Sequence, residues 1–142
     1  MLWMRIFNGI GVWVGALRIA TLSAGAVGLD VVLLGLGSGL LTNTILVVNN
    51  YRDVDADRAA NKRTLLVRWG RGFGLALYYF SGSFAASVLV WFWLRGYGAE
   101  VLFGLFPIGW SFWLGLRLKV ARDARAFGVV LRSSGQVVAL YG

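Results

Sequence analysis

The sequence contains neither cysteine nor histidine, and it has only one proline among its 142 residues. Without cysteine the chain has no disulfide scaffold and no thiol nucleophile, and without histidine it has no histidine-based catalytic triad. The absence of both residue types also excludes zinc sites built from them. The scarcity of proline among so many apolar residues argues against disorder. The sequence therefore predicts an ordered protein without thiol or imidazole chemistry.

Charged residues are scarce as well. They make up 14% of the chain, whereas a soluble domain carries about 25%. Hydrophobic residues reach 58%, and the mean hydropathy is +0.72. A soluble fold would have to bury nearly all of these side chains and would run short of polar surface. We therefore predict an integral membrane protein, or a part of one.

Long uncharged runs predict helices that cross the membrane. A helix needs about 20 apolar residues to span the hydrocarbon core, and residues 31–51 and 72–94 meet this length without a single charge. Such runs lack the alternation of barrel strands. Three further runs are shorter or are interrupted by an arginine. The predicted fold is an all-α membrane bundle of about five spans, at residues 6–29, 31–51, 72–94, 101–116 and 126–142.

The basic residues lie mostly on one side of this predicted bundle. Most of them fall in the loop 52–71 or between the last two predicted spans, whereas Arg95 stands alone on the other side. The positive-inside rule then predicts that the loop 52–71 faces the cytoplasm of a cell membrane. The net charge of +8 is thus mainly a signal of topology. We expect contacts with membrane lipid and no nucleic-acid partner.

Polar residues at a spacing of four follow the second predicted span. Asn49, Asp53 and Asp57 share one face if the helix continues beyond the membrane, whereas Asp55 points elsewhere. Two carboxylates and a carboxamide form an all-oxygen site, which suits Mg²⁺ because that ion takes one or two carboxylates and completes its shell with water and substrate phosphates. The spacing therefore predicts a magnesium site.

Cations and a hydroxyl come shortly after this stripe. Lys62, Arg63 and Thr64 offer partners for the remaining oxygens of a metal-bound diphosphate. The alternative is a solvated face on which the acids are merely paired with cations, in a membrane protein without enzymatic activity such as a transporter fragment. Acidic residues at the end of a membrane helix more often have a functional role than none. Both interpretations stay open at this point.

The residues around the stripe resemble a known motif. The segment 41–70 is similar to the second aspartate-rich motif of the UbiA superfamily of membrane prenyltransferases. Within it, the segment is most similar to the 1,4-dihydroxy-2-naphthoate prenyltransferases (MenA) of menaquinone synthesis. The matching residues are Asn49, Asn50, Tyr51, Arg52, Asp53, Asp57, Asn61, Lys62, Arg63, Thr64, Leu65, Val67, Arg68 and Gly70.

The resemblance implies a reaction and a role for each of these side chains. Members of the family transfer a polyprenyl chain from its diphosphate to an aromatic acceptor, here 1,4-dihydroxy-2-naphthoate, with Mg²⁺ as cofactor. Asp53 and Asp57 would bind the metal, and Lys62 and Arg63 would bind the diphosphate. Supporting positions in the magnesium-diphosphate site would be Asn49, Asn50 and Arg52.

The sequence departs from the family pattern in two respects. Asn61 stands where the family usually has glycine, which suggests a positive φ that asparagine also tolerates. The first aspartate-rich motif is absent, since the acids outside the stripe region are isolated. The family bundle has nine helices. We therefore expect residues 1–142 to form one partial prenyltransferase domain resembling the C-terminal half, inactive without a companion N-terminal half.

Overall fold

The computed structural model describes residues 29–141, which are helical almost throughout and contain no strand. This confirms the predicted all-α class for the described part of the chain. We number its α-helices in chain order, and a short 3₁₀ helix precedes the third of them. The elements are α1 (Leu29–Ala59), α2 (Leu65–Leu94), the 3₁₀ helix (Ala99–Gly104), α3 (Leu105–Val120) and α4 (Ala124–Tyr141).

Three segments are long and apolar enough to cross a membrane. They are α1, α2 and the continuous stretch Ala99–Val120, which joins the 3₁₀ helix to α3. The predicted span 126–142 does form a helix, but Arg125, Arg132 and Gln136 lower the hydropathy of α4, and it is not among the three. The predicted span 6–29 lies outside the described residues, except for its last residue. The described part of the chain therefore supports three spans, and the predicted number of about five is not confirmed.

The connection between α1 and α2 is shorter than the charge pattern suggests. Helix α1 continues to Ala59 and α2 begins at Leu65, so most of the predicted loop 52–71 is helical. The reason is that charge marks the edge of the apolar segment, whereas a helix ends only where its backbone is interrupted. The charged end of α1, from Arg52 onwards, extends beyond the apolar part of that helix.

A tight turn ends α1. Asn61 has a φ of 53°, which confirms the predicted left-handed conformation at this position. The backbone N–H of Lys62 donates to the carbonyl oxygen of Asp57 at 2.9 Å, and that of Asn61 donates to Arg58 at 3.1 Å. These two bonds define a Schellman motif, which satisfies the last carbonyl groups of the helix. The turn brings the side chain of Lys62 next to that of Asp57.

Two residues define how α2 begins. Thr64 is its N-cap, and the Thr64 hydroxyl accepts a hydrogen bond from the N–H of Val67 at 3.3 Å. Gly70 then interrupts the helix with φ 81° and ψ 173°, a region that is almost restricted to glycine. A short helical segment therefore precedes the kink, and the membrane-crossing part of α2 follows it.

The helices pack as neighbouring antiparallel pairs, α1 with α2 and α3 with α4, and α4 also contacts α1. A buried hydrogen-bond chain joins three of them. The Tyr78 hydroxyl on α2 lies 3.2 Å from Ser134 Oγ on α4 and accepts a bond of 3.3 Å from Ser111 on α3. All three residues are at most 2% exposed. Polar contacts of this kind hold helices together in an apolar environment.

Candidate functional site

Helix α1 carries the predicted polar stripe without interruption. Asn49, Asp53 and Asp57 lie within its 31 residues, so the spacing of four places them on one face, as predicted. Their exposure differs along the stripe: Asp57 is buried, with 6% of its surface exposed, whereas Asn49 and Asp53 are partly exposed. The stripe therefore runs from a half-exposed amide to a carboxylate that the bundle covers.

Asp57 binds Lys62 across the turn that ends α1. Nζ of Lys62 lies 2.8 Å from Oδ1 of Asp57. The Schellman motif brings the two residues together, because it reverses the chain just after Asp57. The hydrogen bond to Asp57, and then the charge of that carboxylate, raise the pKa of the Lys62 amine above its usual value. The structure thus joins a predicted metal ligand to a predicted diphosphate-binding cation.

Asp53 binds the guanidinium group of Arg52. Nε and Nη2 of Arg52 donate to Oδ1 and Oδ2 of Asp53 at 2.6 and 2.8 Å. This pair lies beyond the apolar part of α1, and both side chains are about 40% exposed. The hydrogen bonds from Arg52, followed by the charges of Arg52 and Lys62, outweigh desolvation and hold the pKa of Asp53 below its usual value. Asp53 therefore stays ionised at any physiological pH.

Asp55 lies off the stripe, as predicted, and connects the two helices. Its Oδ2 accepts a bond of 2.9 Å from Arg71, just after the Gly70 kink, while Oδ1 lies 3.8 Å from Arg58. The Arg71 guanidinium also lies 5.6 Å from the centre of the Tyr51 ring. Sequence reasoning assigned no role to Arg71. The interruption of α2 at Gly70 was not apparent in the sequence pattern, so nothing there pointed to this contact.

The other residues of the motif differ in their exposure and in their partners. Arg63 and Arg68 are exposed, and neither forms an ion pair with an acid between residues 29 and 141. Thr64 is 4% exposed and its hydroxyl caps α2, so we assign it to the helix rather than to a ligand. Asn50 follows Asn49 on α1 and is partly exposed. Arg63 is thus the predicted diphosphate ligand that is not already paired within the described residues.

The donor atoms are compatible with a Mg²⁺ ion whose coordination shell is completed by substrate phosphates. Asp53 and Asp57 are one helical turn apart, which separates their β-carbons by about 6 Å, and all their donor atoms are oxygen. No cluster of three or more acidic side chains that could hold a metal occurs in the described part of the chain. Two carboxylates suffice for Mg²⁺ only when phosphate oxygens or water supply the other positions. A metal here would compete with Lys62 for Asp57 and with Arg52 for Asp53.

Comparison with known proteins agrees with the motif. The chain is 48% identical over 40 residues to 1,4-dihydroxy-2-naphthoate octaprenyltransferase of Haemophilus influenzae. This alignment covers 28% of the chain but only 13% of the length of that relative. No solved structure is significantly similar to the chain. The sequence model of the UbiA prenyltransferase family matches residues 1–135, nearly the whole chain, and the chain belongs to this family.

Proposed function

We propose that the chain is part of an enzyme that transfers a polyprenyl group from its diphosphate to 1,4-dihydroxy-2-naphthoate, a step of menaquinone synthesis. One observation carries this proposal. The carboxylates of Asp53 and Asp57 lie on one face of α1, and Lys62 lies 2.8 Å from the second of them. The family match and the local similarity to the octaprenyltransferase support the substrate class.

The two carboxylates would hold Mg²⁺ at the end of α1. When bound, the ion would neutralise diphosphate oxygens and lower the energy of the departing group. Asn49 precedes Asp53 by one turn and would orient water or a carboxylate within the site, with Asn50 beside it. Burial of Asp57 fixes the position of its side chain, so little conformational freedom is lost on binding.

The cations would bind the diphosphate. Lys62 and Arg63 leave the turn side by side, and Arg52 is one residue away from Asp53. Their charges would stabilise the negative charge that develops as the diphosphate departs, which is the form of electrostatic stabilisation with the largest expected effect. Lys62 and Arg52 would then exchange a carboxylate partner for a phosphate oxygen.

The bond changes follow from the substrates. The bond between the allylic carbon and the diphosphate oxygen breaks, and its electron pair leaves with the diphosphate. The electron-rich ring carbon that carries the carboxylate then forms a bond to the allylic cation. The carboxylate departs as carbon dioxide, and its bonding pair restores the aromatic ring. In this scheme the described residues bind and stabilise the leaving group, and none of them transfers a proton.

We also propose that a companion segment completes the site. Two carboxylates are few for a metal-bound diphosphate, and the sequence holds no second group of closely spaced acids. A companion N-terminal half of the bundle would supply the missing acidic motif. The basic turn at residues 60–64 would face the cytoplasm, in accordance with the positive-inside rule.

The experiment compares variants of the full chain in lipid nanodiscs. Binding of a non-hydrolysable prenyl thiolodiphosphate is measured with and without Mg²⁺. We expect Asp57→Asn to weaken the Mg²⁺-dependent binding by about tenfold or more, as is typical when metal coordination is disturbed. The matched control is Asp55→Asn, the same change on the same helix but off the stripe, and it should retain binding. Equal binding by Asp57→Asn and the wild type would refute the assignment.

A second candidate has one observation in its favour. All three acids at the end of α1 have a cation partner, Asp53 with Arg52, Asp55 with Arg71 and Asp57 with Lys62. The acidic end could thus serve only to fix the turn of a membrane protein without catalytic activity. This candidate requires that the analogue binds equally with and without Mg²⁺, or not at all. It also requires that Asp57→Asn lowers the thermal stability of the chain.

A further inference from the structure

A shallow apolar groove lies between α3 and α4, at the same end of the bundle as the polar stripe. Its volume is about 170 Å³, which holds a segment of one hydrocarbon chain. The lining comes from the last turns of α3 and the first turns of α4. It includes Leu114, Val120, Val129 and Val130, together with Trp113 and Arg117. Arg117 is the charged residue of this lining.

Arg117 is held over the groove by an aromatic ring. Its guanidinium carbon lies 4.4 Å from the centre of the Trp113 ring, one turn earlier on α3. A cation at this distance from an indole ring is attracted by the negative face of the ring. Arg117 itself remains exposed. The stacking therefore fixes a positive charge at the rim of an apolar surface while its N–H groups remain able to bind an anion.

Positive charge outweighs negative charge around the groove. Arg122 and Arg125 are exposed nearby, and together with Arg117 they form no ion pair with any acid of residues 29–141. The one acid in this stretch, Asp123, has its Oδ1 bonded to the N–H of Ala126 at 2.7 Å, where it caps α4. The rim of the groove is therefore strongly positive, and an anion would complement it.

We propose that this groove binds an anionic phospholipid, with an acyl chain along the valines and the headgroup phosphate on Arg117. The stretch Ala99–Val120 is long and apolar enough to cross a membrane, so its charged last turn lies at the depth where phospholipid headgroups are found. A free phosphate would leave the apolar lining uncovered. A zwitterionic phospholipid would bring a positive group into a positive site. The proposal does not depend on the reaction assigned to the polar stripe.

The test is native mass spectrometry of the full chain released from detergent. Retention of dioleoyl phosphatidylglycerol is compared with retention of dioleoyl phosphatidylcholine, which has the same acyl chains. We expect the wild type to retain the anionic lipid preferentially. Arg117→Gln should reduce this retention about fivefold, since one basic contact near a membrane is worth about that factor in affinity. Lys119→Gln is the matched control, because it removes the same charge two residues along the helix, on nearly the opposite face.

A third variant tests the apolar part without changing the charge. Val129 lines the groove and is 56% exposed, so Val129→Trp fills the groove without disturbing the core and should reduce retention of phosphatidylglycerol. Equal retention of the two lipids, or equal losses in Arg117→Gln and Lys119→Gln, would overturn the proposal in favour of diffuse electrostatic attraction. Displacement of phosphatidylglycerol by farnesyl diphosphate would also overturn it, because the groove would then belong to the prenyl substrate.

Discussion

The Nζ atom of Lys62 lies 2.8 Å from Oδ1 of Asp57, across the turn that ends α1. The same carboxylate is a proposed metal ligand, and the same amine is a proposed ligand of the diphosphate. In the structure they neutralise each other. If both assignments hold, we expect binding of the metal and binding of the diphosphate to be coupled, because each ligand would weaken the ion pair that engages the binding group of the other.

Lys62→Met is expected to separate these two events. Without the amine, no cation of residues 29–141 forms an ion pair with Asp57. The affinity of the chain for Mg²⁺ alone should therefore rise about two- to fivefold, the range of an ion pair at the protein surface. Binding of a prenyl diphosphate analogue in the presence of Mg²⁺ should fall instead. Isothermal titration calorimetry with each ligand measures both effects.

The control for this variant is Arg63→Met, which removes the neighbouring charge. Arg63 pairs with no acid in the described part of the chain, so its loss should weaken binding of the analogue and leave binding of Mg²⁺ alone unchanged. An increase of the Mg²⁺ affinity in both variants would show that the net positive charge near the site, rather than the ion pair of Lys62 with Asp57, limits the affinity for Mg²⁺.

Arg52→Gln is expected to shift the pH dependence of metal binding. The hydrogen bonds from Arg52 hold the pKa of Asp53 below its usual value of 3.8, and a carboxylate with a lowered pKa loses its charge only when the pH falls through that lower value. Removing Arg52 raises the pKa, so metal binding should be lost at a higher pH than in the wild type. Titration of Mn²⁺ binding between pH 3 and 6 by electron paramagnetic resonance measures this shift.

Arg58→Gln is the matched variant for the pH experiment. Arg58 lies 3.8 Å from Asp55 and does not bind Asp53. The pH at which metal binding is lost should therefore be the same in this variant as in the wild type. A shift of the same size in both variants would mean that the net charge of the helix end, and not the contact with Arg52, sets the pKa of Asp53.

Gly70→Ala is expected to destabilise the chain by about 1 to 3 kcal/mol, the range for a residue held in a disfavoured backbone region. A β-carbon at Gly70 would meet no atom within 4 Å, so the cost would come from its φ of 81° rather than from a clash. Thermal unfolding in detergent measures the loss. Gly72→Ala is the control, because Gly72 has open space and no positive φ, and alanine there should be neutral or slightly stabilising. Equal effects of both changes would contradict this explanation.

Tyr78→Phe is expected to cost about 1 kcal/mol of stability, in the range measured for hydrogen bonds between membrane helices. The change removes the hydroxyl group that links Ser111 with Ser134 and retains the ring. Tyr79→Phe serves as the control, since Tyr79 is only partly buried and its ring stacks on Phe112. A loss of the same size in Tyr79→Phe would assign the effect to the ring environment and not to the hydrogen-bond chain.

The parts of the site that could be predicted are those that depend on the period of a helix. Asn49, Asp53 and Asp57 share a face because α1 is continuous there, and the spacing of four contains this information. The positive φ of Asn61 could be predicted from the resemblance, because the family's usual glycine marks a backbone conformation rather than a side chain. Both predictions concern neighbours in the sequence.

The parts that could not be predicted depend on how the chain folds back. Lys62 was expected to bind a phosphate, and its bond to Asp57 arises only because the turn reverses the backbone. Arg71 reaches Asp55 from sixteen residues away. Ser111 looks like an isolated polar residue in an apolar run, whereas Ser134 lies in the polar stretch between Arg132 and Gln136. Nothing in either stretch indicates that both serines face Tyr78.

The length of α1 has a consequence for any amphiphile that reaches the stripe. A helix of 31 residues is about 46 Å long, whereas the hydrocarbon core of a bilayer is about 30 Å thick. The acidic end of α1 therefore extends beyond the hydrocarbon core into the headgroup layer. An amphiphile can place its anionic headgroup there while its hydrocarbon tail remains in the core of the bilayer. Its binding therefore requires neither transfer of the tail into water nor transfer of the charge into the hydrocarbon core.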